Sequence, residues 1–137
     1  MKLLRRLAAE PMLTLAALCF GAFVVIADRV LFGTLLDRPP DFSDPGVYIV
    51  NGLLAATPFL WLAYRGSKRL LPWLAGMALT LWLWWRFLQD GVAYQRAPDG
   101  SGVDMAFALL MLVSPVFIGA ACASLDHIMR QHSERGT

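Results

Sequence analysis

Charge is scarce in this sequence. Lysine, arginine, aspartate and glutamate make up 16% of its 137 residues, where soluble domains carry about a quarter. Hydrophobic residues make up 58%, and a chain this short has too much surface to hide them in one aqueous core. Lipid resolves that conflict, so the composition argues against a soluble domain. The net charge of +2 leaves no basic footprint for nucleic acid. Two cysteines and two histidines argue against a disulfide scaffold or a cysteine-rich zinc site. Cys19 and Cys122 each fall inside an apolar run, without CxxC spacing, and read as small hydrophobes. His127 and His132 are five residues apart, which sets them on different helix faces. With Asp126 they read as a solvated tail rather than a metal site. Neither a Ser/Lys nor a His/Asp constellation is visible, so no catalytic residue and no cofactor is expected.

Long apolar runs are what the chain has instead. They cover Pro11–Ala27, Gly46–Tyr64, Leu70–Trp85 and Val103–Leu125. A helix needs about 20 apolar residues to cross the roughly 30 Å hydrocarbon layer. The second and fourth runs meet that length. The first resumes after Asp28-Arg29 and continues to Leu36, and the third extends through Arg86 to Gln89. The sequence therefore predicts an all-α membrane protein. One transmembrane domain, a four-transmembrane-helix bundle, fills residues 1–137, with helices near 8–36, 46–64, 70–89 and 103–127. Lys2, Arg5, Arg6 and Val25-Ile26-Ala27 have the outline of a cleavable signal peptide. Because apolar sequence resumes after Asp28, this segment is expected to remain as a span.

The basic residues set the orientation. Lys2, Arg5, Arg6, Arg65, Lys68, Arg69, Arg130 and Arg135 fall on one side of such a bundle. Arg29, Arg38, Arg86 and Arg96 fall on the other. Cytoplasmic flanks are enriched in Lys and Arg, which predicts a bacterial-type inner-membrane protein with both termini in the cytoplasm. Prolines in the 37–46 stretch and the Pro-Asp-Gly cluster at 98–100 mark loops between helices.

The two halves echo each other. Arg6-Leu7 precedes Pro11 as Arg69-Leu70 precedes Pro72, and Thr57-Pro58 is matched by Ser114-Pro115. The echo suggests two tandem helical hairpins. Pro58 and Pro115 are expected to bend their helices, each freeing a carbonyl that the preceding hydroxyl can partly satisfy. Small residues recur at four-residue spacing in Ala17/Gly21, Gly52/Ala56, Gly76/Thr80, Gly119/Ala123 and Ala120/Ser124. Such pairs let helix backbones approach closely in lipid.

Ionisable groups at membrane depth are costly and suspect. Asp28 lies about 26 Å up the first helix from Pro11, Arg86 about 24 Å up the third, and Asn51 about 7 Å below the outer end of the second. With Arg29 and Asp104 they form one layer beneath the outer interface. Asp90 stands one turn after Arg86, at pairing distance. No charge lies at the midplane, where Thr14, Thr57, Thr80 and Ser114 are the polar groups. Two roles follow. In the first, the protein is a non-enzymatic accessory or structural component. Its partners are then the lipid bilayer and another membrane protein or a homo-oligomer, with no nucleic acid. In the second, it is a small carrier or lipid- or anion-binding protein. Asp28, Arg29, Asn51, Arg86 and Asp104 are then its contacts, with arginine forks suited to phosphate.

Overall fold

The computed structural model describes residues 7–97 and 105–135, with side chains placed for 7–97 and 109–133. Helix makes up 86% of the structure and no strand occurs among the described residues. The chain is all-α. A helical turn at 7–9 precedes four long helices, α1 Pro11–Leu35, α2 Pro45–Tyr64, α3 Leu70–Arg96 and α4 Met105–Arg135. Three of them, α1, α2 and the Leu109–Ser133 stretch of α4, are long and apolar enough to cross a membrane. By the same measure α3 is not; its C-terminal half carries Arg86, Gln89, Asp90 and Arg96.

Local chemistry sets the helix ends. Pro11 opens α1 and Pro45 opens α2, where the missing N–H costs nothing. The Asp44 carboxylate caps α2, accepting from the N–H groups of Gly46 and Val47 at 3.1 and 3.3 Å. Both α1 and α2 end in a left-handed residue. Asp37 (φ 52°) lets the Arg38 N–H return to the Gly33 carbonyl at 2.9 Å, and Gly66 (φ 63°) lets the Ser67 N–H reach the Leu62 carbonyl at 3.0 Å. These are Schellman closures, for which glycine is the usual residue. Arg69 starts α3 without a side-chain cap.

α1 packs most extensively on α2, and α4 packs on both α2 and α3. Among the described residues α1 and α4 do not touch, so they stand on a diagonal of the bundle. The α1/α2 contact is backbone-close, since a Cβ on Gly21 would collide with the Gly52 carbonyl and sit 2.9 Å from the Ala56 Cβ. Phe59 of α2 is the centre of the core, fully buried, with Phe20 edge-on at 4.8 Å and Trp73 at 5.6 Å. Gly76 leaves room beside it for Phe59 and Cys122. The outer faces of the helices are apolar, with Met12 77% and Phe117 67% exposed. That is the pattern of a protein whose solvent is lipid.

Two helices outrun their expected ends. α3 continues from 89 to Arg96, because Val92 is buried and Gly91 packs against Phe32. α4 continues from 127 to Arg135, so the expected tail is helical. The expected pairing of Arg86 with Asp90 is not formed. Among the described residues the ion pairs are Arg29–Asp28, Lys68–Glu10 and Arg130–Asp126, while Arg86 is exposed and Asp90 Oδ2 is buried without a hydrogen bond. The two side chains leave the helix in different environments, one outward and one inward, despite their favourable spacing.

Candidate functional site

Polar side chains gather at three places. The first, at the end of the bundle where α2 passes into α3, centres on Asp126. This residue is fully buried, contrary to its expected place in a solvated tail. Its Oδ1 accepts from Ser67 Oγ at 2.6 Å and its Oδ2 from Arg130 Nε at 2.9 Å. Arg69 Nη1 donates to the Asp126 carbonyl and Arg130 Nη2 to the Arg65 carbonyl, both at 3.4 Å. Trp73 Nε1 donates to the Ser67 carbonyl at 3.0 Å. Lys68 pairs with Glu10 at 3.6 Å. The 65–69 turn is thereby tied to α4 and to the start of α1. Each carboxylate oxygen of Asp126 has a donor, so this cluster is a structural lock. His127 is exposed and shares a 3.0 Å hydrogen bond with Gln131.

The second place is a cavity of about 160 Å³ between α2, α3 and α4. Asn51, Thr80 and Ser114 line it together with Pro58, Pro115, Trp84 and Met111. Prolines remove the N–H that would serve the carbonyls of Leu54 and Met111. Ser114 Oγ donates to the Met111 carbonyl at 2.9 Å, as expected of a hydroxyl–proline pair. Thr57 instead donates to Leu53 at 2.7 Å, so it does not serve the carbonyl freed by Pro58. Thr80 Oγ1 is buried without a partner.

The third place lies at the opposite end of the bundle. A pocket of about 220 Å³ is lined by Arg29, Phe32, Gly33, Leu36, Arg38, Pro39 and Asp41. The Arg29 guanidinium stands over the Tyr48 ring at 5.2 Å, and the Tyr48 hydroxyl donates to the Asp41 carbonyl at 2.6 Å. Hydrogen bonds from Ser43, with Arg29 nearby, hold the Asp41 carboxyl below the usual carboxylate range. Arg96 Nη2 reaches from α3 to the Leu35 carbonyl at 2.6 Å, closing the last turn of α1.

The expected outer layer is thus divided. Arg29 faces the α1 end-pocket, where Arg38 joins it. Asn51 faces the central cavity. Asp28 faces a groove between α1 and α3, Arg86 is exposed, and Asp104 lies outside the described residues. Neighbours in sequence part company because successive helical residues point about 100° apart. Among the described residues no group of three His, Cys, Asp or Glu could hold a metal.

The class defined by this fold is a small, all-helical protein with three helices of membrane-spanning length and character. Comparison with family models, curated proteins and solved structures gave no match in any of the three.

Proposed function

We propose that this protein is a four-span, non-enzymatic component of a bacterial-type inner membrane, with cytoplasmic termini. It acts by packing α2 and α4 against a further transmembrane helix, from a second copy or another membrane protein. The helix α3 supports the fourth span. Its 27 residues extend about 40 Å at 1.5 Å per residue, and its charges are confined to residues 86–96.

The observation that carries the packing role is the fate of the five small-residue pairs. In Ala17/Gly21, Gly76/Thr80 and Gly119/Ala123 both members are buried inside the bundle, and Gly52/Ala56 receives Gly21. Ala120/Ser124 alone has both members exposed. It lines an open groove of about 470 Å³ with Thr57, Trp61, Val116 and Arg65. Such a surface admits a helix backbone at close range, the main source of association in lipid. A single cysteine at Ala120, in a chain with Cys19 and Cys122 replaced, tests this in native membranes with a short thiol crosslinker. A reproducible product is expected from Ala120→Cys and none from Leu74→Cys on α3. Monomer alone from both positions would sink the proposal.

A second reading rests on the end-pocket. Arg29 and Arg38 share it, and paired guanidinium groups suit the phosphate of a lipid headgroup. The Arg29→Gln/Arg38→Gln double variant should then retain less anionic phospholipid through purification. Unchanged lipid content would leave the two arginines as interfacial anchors.

A further inference from the structure

We infer that the groove around Asp28, between α1 and α3, is a binding site for a lipophilic organic cation. This site is separate from the α2/α4 face and from the arginine pocket. Its floor is a carboxylate with unmet demand. The Asp28 side chain is 11% exposed and its nearest cation, Arg29 Nε, is 4.0 Å away, beyond hydrogen-bond length. Among the described residues neither carboxylate oxygen has a hydrogen bond. Asp28 stands well inside α1, with seven residues of helix still to come, the last of them Leu35. An acid held there in apolar surroundings is costly, and a second positive charge beside it lowers that cost.

The walls say which cation. Trp84, Trp85 and Leu81 of α3 line the groove opposite Asp28, Val24 and Leu31 of α1, around about 250 Å³ of space. Indole faces attract cations. Besides Asp28, every side chain named here is apolar or aromatic, which suits a small hydrated metal ion poorly because such ions need several oxygen ligands. An ammonium or phosphonium centre carrying apolar groups meets both the charge and the walls. The groove opens toward lipid, since Leu31, Leu81 and Trp85 are 41%, 42% and 45% exposed. A cation dissolved in the bilayer therefore has a direct way in.

The test uses the full chain in phosphatidylcholine nanodiscs, with empty nanodiscs as reference. The probes are benzyltrimethylammonium and neopentylbenzene, its uncharged carbon isostere. The cation is expected to bind more tightly than the isostere. Asp28→Asn should weaken the cation by about tenfold or more while leaving the isostere unchanged. Arg29→Gln removes the competing charge and should strengthen the cation by about two- to fivefold, the worth of a partly exposed ion pair. A merely structural Asp28–Arg29 pair predicts no such gain. Equal binding of the two probes, retention of the cation by Asp28→Asn, or weakening by Arg29→Gln would each overturn the inference. Should Asp28→Asn fail to fold, the Arg29→Gln result decides.

Discussion

Asp126 ties the 65–69 turn to α4 through its two carboxylate oxygens and its main-chain carbonyl. A buried carboxylate satisfied by Ser67 and Arg130 is an asymmetric arrangement, because deleting one partner strands the others. Asp126→Ala should cost about 1–3 kcal/mol, because it leaves the buried Ser67 hydroxyl without its acceptor while Arg130 can be solvated. Ser67→Ala should cost about 1–3 kcal/mol, since it leaves Oδ1 short of a donor. Arg130 is 42% exposed, but its replacement by Gln leaves Oδ2 of the fully buried Asp126 without its charged donor and should cost about 1–3 kcal/mol. Reversible unfolding in mixed micelles, followed by tryptophan fluorescence, measures all three. Costs near zero for both Ser67→Ala and Arg130→Gln would show that the carboxylate is solvated. The sequence signal for this lock was slight. Asp126 follows Leu125 at the boundary of the apolar run and so resembles the first residue of a tail. Its one clue is Arg130 a turn later. Asp28 was legible as an intramembrane acid, but composition and depth do not report direction around the helix. Only packing shows that it shares a groove with Trp84 and Trp85, while Arg29 turns to Tyr48.

Helix against helix, the small-residue spacing was readable and the choice of partners was not. Gly21 on α1 meets Gly52 and Ala56 on α2, members of two pairs that the sequence shows separately and the loop at 36–44 brings together. Gly21 and Gly52 differ sharply within this contact. A Cβ on Gly21 would run into the Gly52 carbonyl, whereas a Cβ on Gly52 finds its nearest neighbour at an ordinary 3.7 Å. Gly21→Ala should therefore destabilise by about 1–3 kcal/mol, as overpacking does. Gly52→Ala should be neutral or mildly stabilising, by up to about 1 kcal/mol, through its gain in helix propensity. Matching unfolding curves for the two variants would refute the close α1/α2 approach. Helix lengths exceed those the apolar runs imply for a related reason. Arg86, Gln89 and Asp90 look like the rim of a span, yet buried Val92 and the Gly91–Phe32 contact carry α3 to Arg96. The helix stops where Ala97 precedes Pro98, a residue pair that disfavours helix. In α4, residues 127–135 contain neither glycine nor proline, and nothing local ends the helix.

The ends of the bundle give the spans an order that composition alone leaves open. Glu10, Lys68 and Asp126 share one end, through the salt bridge to Lys68 and the hydrogen bond from Ser67. Leu35 and Arg96 meet at the other. The start of α1, the α2–α3 turn and the far part of α4 therefore lie together, as an up-and-down bundle requires. The basic residues divide between the same two ends, with Arg65, Lys68, Arg69 and Arg130 at the first and Arg29, Arg38 and Arg96 at the second. If α3 crosses the bilayer, the 65–69 turn and the segment after Arg96 face opposite compartments, and the positive-inside bias puts the turn in the cytoplasm. Alkaline phosphatase fused after Gly66 should then be inactive, and the same enzyme fused after Gly100 should be active. A fluorescent protein that matures only in the cytoplasm should report the reverse. Should α3 instead lie along the membrane surface, both fusions would give the same answer. The seam that buries Leu83, Leu88 and Val92 of α3 inside the bundle would then have to be dismantled, with the loss of its close side-chain packing. The polar C-terminal half of α3 sets it apart from the three apolar helices, and the paired fusions distinguish three crossings from four.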